Sequence, residues 1–482
     1  MALLLRGGRR YGGEAVDVLI DDGRLTAVAP PGAPAPREAE VVDLDGRFVG
    51  PGLWDAHVHF TQWVAARARF DLATTTSAAD AAERVRARLA AGAESGVLVG
   101  YGFRDALWPD QPSVTLLDAA AGTHPVVLVS GDLHCGWLNT AAAAAFGLTL
   151  PPSGLLRETE WIGTLQRIDA QTHYGIDGFR AAADAAAARG VVGVVDFEND
   201  DNLALWPQRV AAGVTSLRVD ASVWPSRLDA AIRAGHRSDD VLDQDGLVRV
   251  GPLKVVADGS LNTRTAYCWQ PYPGTADHGV QSVDGAELRR LLRTATGNGI
   301  DAAVHAIGDR TNTEVLDAFE ELAIPGTIEH AQLVRPADVP RFARLGVVAS
   351  VQPEHAMDDR DVADRHWAGH AEHAFAYGSL HAAGAVLRLG SDAPVAPLDP
   401  WVSIAAAVHR HRDGRAPWHP EQRLPIQAAL AASARGRGTL TAGDPADLVV
   451  VEADPLTADE PGLRAMTVAA TLLGGRWTWR SL

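Results

Sequence analysis

The chain has 482 residues, 47% of them hydrophobic, and a formal net charge of −17. That length and apolar content bury a large core, and one barrel-sized domain with a small companion accounts for it. The acidic balance argues against a nucleic-acid partner, and no run of about 18 apolar residues is present to span a membrane. Cys135 and Cys268 imply no disulfide framework, which fits a reducing cytoplasm. Met1-Ala2-Leu3-Leu4-Leu5 is followed, not preceded, by Arg6, Arg9 and Arg10, so no secretory leader is expected.

Residues 1–50 hold short strands and turns, with an Asp22-Gly23 hairpin signal inside Val16 to Leu25. The apolar run that follows ends in His57-Val58-His59. Successive strand side chains alternate faces, so both imidazoles point the same way and can close on one ion. Between about 61 and 189 lies an insertion, far longer than the about 2 to 6 residues usual for a loop between strand and helix. It includes a charged Ala-rich helix around 77–94, apolar runs at 97–101 and 126–130, and then His134, Trp137 and Asn139. Such an insertion on a catalytic face is read as a lid or a specificity element, the alternative being a folded decoration far from the strand-end residues.

From Asp177 onward a rhythm repeats: a helical stretch, a glycine, then a β-rich run. Gly190, Gly213, Gly297, Gly346 and Gly384 punctuate it. Counting from His57, strands are predicted near 55–60, 191–197, 216–223, 253–258, 300–305, 327–331, 347–352 and 386–392. These units predict an α/β fold, a (β/α)8 TIM-type barrel, in which chemistry gathers at the C-terminal strand ends. Lys254, His305, His330 and Asp392 all fall there with His57 and His59. Taken singly they read as a surface lysine, core histidines and a turn aspartate; their shared position at strand ends sets them apart. His366, His370 and His373 have near-helical spacing and are read as a solvated face.

The chain resembles the amidohydrolase superfamily. The phrases that carry the likeness are Pro51-Gly52-Leu53-Trp54-Asp55-Ala56-His57-Val58-His59, Gly131 to Asn139, Ala257-Asp258-Gly259-Ser260, His305-Ala306-Ile307-Gly308-Asp309, Ile328-Glu329-His330-Ala331-Gln332 and Gly390-Ser391-Asp392-Ala393-Pro394. Within the superfamily it looks like amidohydrolase family 3, the branch with N-substituted formamide deformylase-like proteins. The resemblance implies that residues 1–50 and 436–482 pair into a small β-sandwich domain beside a barrel at 51–435.

It also implies metal ligands at His57, His59, Lys254, His305, His330 and Asp392. Lys254 would carry a CO2-derived carbamate bridging two divalent ions, with His57, His59 and Asp392 on one and His305 and His330 on the other. Imidazoles and a carboxylate suit zinc first, ahead of iron, manganese, nickel or cobalt. Asp392 is the expected proton shuttle, and His134 the expected contact to a developing oxyanion. Trp137 is expected as an aromatic wall and Asn139 as a structural or polar contact. Asp258, Arg264, Asp309 and His355 are further expected substrate contacts. The expected reaction is hydrolysis of a C–N bond in a small amide, formamide or cyclic amide. A mononuclear deaminase with an unmodified Lys254, and a scaffold on a retired barrel, are the alternatives. The expected partner is a small-molecule substrate, and assembly as a homo-oligomer is left open.

Overall fold

A computed structural model describes residues 2–32, 34–92, 96–171 and 175–482. Eight parallel strands form one sheet in chain order: Leu53–Val58, Val191–Asp196, Arg218–Val223, Val248–Val256, Ala302–Ala306, Gly326–His330, Val347–Val351 and Leu387–Leu389. The last strand returns to the first, where the Asp392 N–H donates to His57 O at 2.7 Å and Val58 bridges Ala393. Gly390 permits this closure, since an added Cβ there would lie 2.7 Å from the His57 backbone nitrogen. The predicted TIM-type barrel is therefore present, each predicted strand in its place.

Burial explains the near-continuous apolar strands. Every residue of Val191–Asp196 is buried, as in a parallel sheet covered on both faces. The helix Ile176–Ala187 buries Ala182, Ala183 and Ala186 against it. The helices Gly285–Gly297 and Asp309–Leu322 cover the sheet with apolar faces that include Leu288, Leu292, Val315 and Phe319. Among the described residues no helix is long and apolar enough to cross a membrane.

Strands from both chain ends share a second sheet of eight strands. Its path runs from Arg476–Arg480 through Val468–Leu473, Leu448–Val451 and Phe48–Pro51 to Leu3–Arg10, Ala15–Asp21 and Arg24–Ala29. Alternate residues Leu3, Leu5, Val16, Val18, Ile20, Leu448 and Val450 enclose its core. Neither end has enough apolar surface alone, so each needs the other.

The insertion is a folded α/β unit with its own five-stranded sheet, ordered Leu155–Arg157, Cys135–Leu138, Val126–Ser130, Leu98–Phe103 and Phe70–Asp71. Its two predicted apolar runs are the strands Leu98–Phe103 and Val126–Ser130. The predicted Ala-rich helix is Ala78–Ala90, N-capped by Ser77, and residues 93 and 94 of that prediction lie outside the described residues. His366 ends the helix Arg360–His366 while His373 sits in a separate short turn, so the three histidines there do not share a helix.

Candidate metal centre and active-site cavity

Strand register brings the candidate ligands together. Lys254 pairs with Ala303, Val256 with His305, and His305 with Glu329. Residues level with one another on parallel strands share a face, so Lys254, His305 and Glu329 all point into the barrel. Alternation should then turn His330 outward. Its φ of 73° instead breaks the extended backbone and swings it inward beside Glu329, and Asp392 enters by the same device at φ 58°. Positive φ at bulky residues is uncommon, and here it marks the two ligands that strand geometry alone cannot deliver.

The six predicted ligands converge. Asp392 Oδ1 lies 3.5 Å from His57 Nε2 and 3.3 Å from His59 Nε2, and Asp392 Oδ2 lies 4.0 Å from His330 Nδ1. Lys254 Nζ is 3.2 Å from His57 Nε2 and 4.3 Å above the Phe197 ring. His305 and His330 stack edge to face with centroids 4.6 Å apart. One expectation changes. His57, His330 and Asp392 present ligand atoms within 4.8 Å of one another. His330 thus faces both sets, and the tightest group crosses the expected division of ligands between two ions.

The donor set fits a cation. The His57 Nδ1–H donates to Glu329 Oε2 at 2.6 Å and the His330 Nδ1–H to Gln352 Oε1 at 2.8 Å, which leaves both Nε2 lone pairs available for an ion. Asp392 Oδ1, buried among these nitrogens, has no hydrogen-bond donor. Burial and neighbouring positive groups push His57 and His330 well below the ordinary imidazole range. Burial would raise Asp392, but the facing His57, His59 and His330 hold it well below the usual carboxylate range. Burial also lowers Lys254 to about 8, although Glu329 and Asp392 oppose it.

Two carboxylates that composition does not reveal support this centre. Burial raises Glu329 to about 7 despite the nearby Lys254 ammonium. Burial likewise raises Asp55 to about 7, and its Oδ1 accepts the His57 and Ser391 N–H groups at 3.1 and 2.9 Å, tying the first strand to the loop that carries Asp392.

Above the ligands lies a cavity of about 460 Å³ lined by His59, Lys254, His305, His330 and Asp392 at its base, and by His134, Asp258 and His355 higher up. The His134 ring is 6.4 Å from that of His305. Its Nδ1–H donates to Glu158 Oε2 at 2.9 Å, while Glu158 Oε1 accepts the Thr263 and Thr265 hydroxyls at 2.6 Å. Burial would lower His134, yet Glu158 raises it to about 9, and Glu158 itself is held at about 2 by His134 in spite of burial. Asp258 accepts the Ile307, Gly308 and Tyr267 N–H groups at 2.8–3.0 Å and lies 3.1 Å from His305 Nδ1, so it shapes the cavity wall and orients a ligand. His355 Nε2 is 4.0 Å from Asp392 Oδ2.

Four expected contacts lie elsewhere. Trp137 is fully buried in the core of the insertion with Leu117, Leu128 and Phe103, its Nε1–H donating to Ser113 O at 3.2 Å. The strand Cys135–Leu138 turns it away from the cavity. Asn139 caps the helix Thr140–Phe146 and braces Val126 and His124, which is its structural alternative. Arg264 is exposed outside the cavity lining. Asp309 begins the helix Asp309–Leu322 and accepts the Trp269 N–H at 2.9 Å. Trp137→Ala is therefore expected to cost about 3 to 5 kcal/mol of stability through a core cavity, with KM unchanged. Chemical denaturation beside steady-state kinetics checks this, and an altered KM at parental stability would contradict it.

A ring of imidazoles, a lysine and an aspartate at the C-terminal strand ends of a (β/α)8 barrel, beneath a cavity, is the arrangement of a metal-dependent barrel hydrolase. The sequence model of the Amidohydrolase family matches residues 40–478, and the chain belongs to that family. Protein LONG AFTER FAR-RED 3 of Arabidopsis thaliana is 29% identical, covering 90% of this chain and 83% of the relative. N-substituted formamide deformylase of Arthrobacter pascens is 26% identical, covering 95% and 94%. The crystal structure of an uncharacterized metal-dependent hydrolase from Pyrococcus furiosus superposes with a TM-score of 0.75 at 26% identity, covering 95% of this chain and 100% of that one.

Proposed function

We propose that this protein hydrolyses a C–N bond of a small amide, formamide or cyclic amide, using two divalent ions, zinc first among them, bridged by a carbamate on Lys254. The observation that carries the reading is the convergence of four imidazoles, Lys254 and Asp392, whose Oδ1 lacks a donor, with all of them but His57 lining one cavity. Similarity to N-substituted formamide deformylase along nearly the whole chain supports the bond type.

His57, His59, His305, His330 and Asp392 would hold the ions. Ions bound there polarise the substrate carbonyl and lower the pKa of water toward about 7. A free ammonium cannot ligate a cation, and the lowered Lys254 keeps a share of neutral amine near neutral pH. That amine could add to CO2 with loss of a proton, and the carbamate so formed would give Lys254 the negative charge that holding cations requires. Asp392 takes the proton of the attacking water and passes it to the leaving nitrogen, so that a neutral amine departs. His134, charged through Glu158, donates from its other ring nitrogen to the carbonyl oxygen as negative charge grows.

Metal analysis of protein purified without chelator, with an activity screen over formamides, cyclic amides and N-acyl amino acids, tests the reading. Near two ions per chain is expected, falling toward one in Lys254→Ala, with partial restoration by short carboxylic acids. Near one ion in the parent, with turnover of aminated heterocycles, would instead establish a mononuclear deaminase.

A further inference from the structure

The charges that line the cavity do not balance. Among the described residues, three cationic side chains face it. Lys254 stays at the ligand centre, and His134 is paired with Glu158. Arg104 donates through Nη2 to Asp358 Oδ2 at 3.0 Å and to Val395 O at 3.1 Å. The carboxylates are mostly committed as well. Asp258 accepts three backbone N–H groups. Asp132 accepts the Ser130 hydroxyl, the Asn262 amide and the His134 N–H. Glu198 accepts the Gln62 N–H.

Asp359 differs. Its nearest cation is Arg104 Nη1 at 4.0 Å, outside hydrogen-bond reach, and its side chain is only 17% exposed. It lines the cavity and closes the helix Pro353–Asp358 one turn beyond His355, with its N–H donating to His355 O at 2.8 Å. His355 borders Asp392, and Asp359 follows it by one helical turn, about 5 Å of rise. Burial raises its carboxyl to about 7, with Asp358 and Asp132 adding to the rise and Arg104 opposing it. The cavity lining also includes the apolar Leu133, Leu165, Val280 and Ile307.

We propose that Asp359 is the specificity subsite for a cationic nitrogen on the substrate, so that the cavity selects amides bearing an amine on an apolar arm and disfavours those bearing a carboxylate. The C–N bond chemistry rests on the proposed function; the charge preference does not. An arm of a few methylene groups spans one helical turn from the scissile bond and lies against the apolar part of that lining. A carboxylate placed there meets Asp359 and finds Arg104 already engaged.

The test uses choline and its uncharged isostere 3,3-dimethylbutan-1-ol, neither of which presents an amine lone pair to a metal, as ligands of the purified metal-loaded protein. Calorimetry and thermal shift give their affinities for the parent and for Asp359→Asn. Choline is expected to bind at least tenfold more tightly than the isostere in the parent, with the ratio falling toward one in the variant. If the variant does not fold, the parental ratio alone decides. Equal affinities in the parent, or a choline preference that survives Asp359→Asn, would overturn the proposal. In parallel, kcat/KM is compared for formamides with dimethylaminoalkyl, branched alkyl and carboxyalkyl arms. The amine arm is expected first and the carboxylate arm last; a preference for the carboxylate would assign Arg104, not Asp359, as the recognition group. No turnover of any formamide, with the choline preference intact, would remove the proposed reaction and leave the subsite standing.

Discussion

Asp392→Asn is expected to lower kcat by a factor of about 10² to 10⁴, the usual loss when a general base is removed, while metal content falls far less. Asparagine keeps the shape and one ligating oxygen of Asp392 but cannot accept a proton. Asp392 suits that role because Oδ1 is buried between His57 and His59 with no donor of its own, and Oδ2 faces His330 and His355 at 4.0 Å. A carboxylate held well below its ordinary range is ionised throughout neutral pH and so is free to accept a proton. Turnover and metal stoichiometry measured on the same sample check this. An Asn variant within tenfold of the parent would show that the proton leaves by another route.

His134→Ala is expected to lower kcat by about 10² to 10³, as for a lost donor to a developing oxyanion, with both ions retained. Glu158→Gln isolates the reason. Glu158 raises His134 to about 9, so the imidazolium donor is present below that pH and is lost as pH rises through it. The parent's kcat/KM is therefore expected to fall on a basic limb near 9. Without the carboxylate, burial lowers His134 against only Asp132 and Asp392, so the limb moves to acid and activity at neutral pH declines. A purely structural role for Glu158 would reduce the amount of folded enzyme without moving the limb. An unmoved limb in a folded Glu158→Gln protein would assign the titration to another group.

The barrel and its candidate ligands were legible in the sequence, because both are written in local patterns. Helix, glycine and β-rich run repeat within a few residues of one another, and His57-Val58-His59 puts two imidazoles on one face by strand alternation alone. Lys254, His305, His330 and Asp392 were legible as residues closing strands, and the five-stranded insertion announced itself by its length and apolar runs. What tertiary structure decided depends on which chains meet. Glu329 was hidden because alternation sets it opposite His330, and only the positive φ at His330 lets two consecutive side chains enter the barrel together. Glu158 faces His134 because Leu155–Arg157 pairs antiparallel with Cys135–Leu138, Cys135 level with Arg157, a register that no local signal specifies. The same pairing buries Trp137 in the insertion's core, so an aromatic that looked like a cavity wall became packing. Asp359 acquires its meaning from Arg104, 255 positions away, being bound to Asp358 instead. Spacing along a chain reports which face a side chain takes; whether that face meets solvent, a core or a cavity is set by contacts between distant segments.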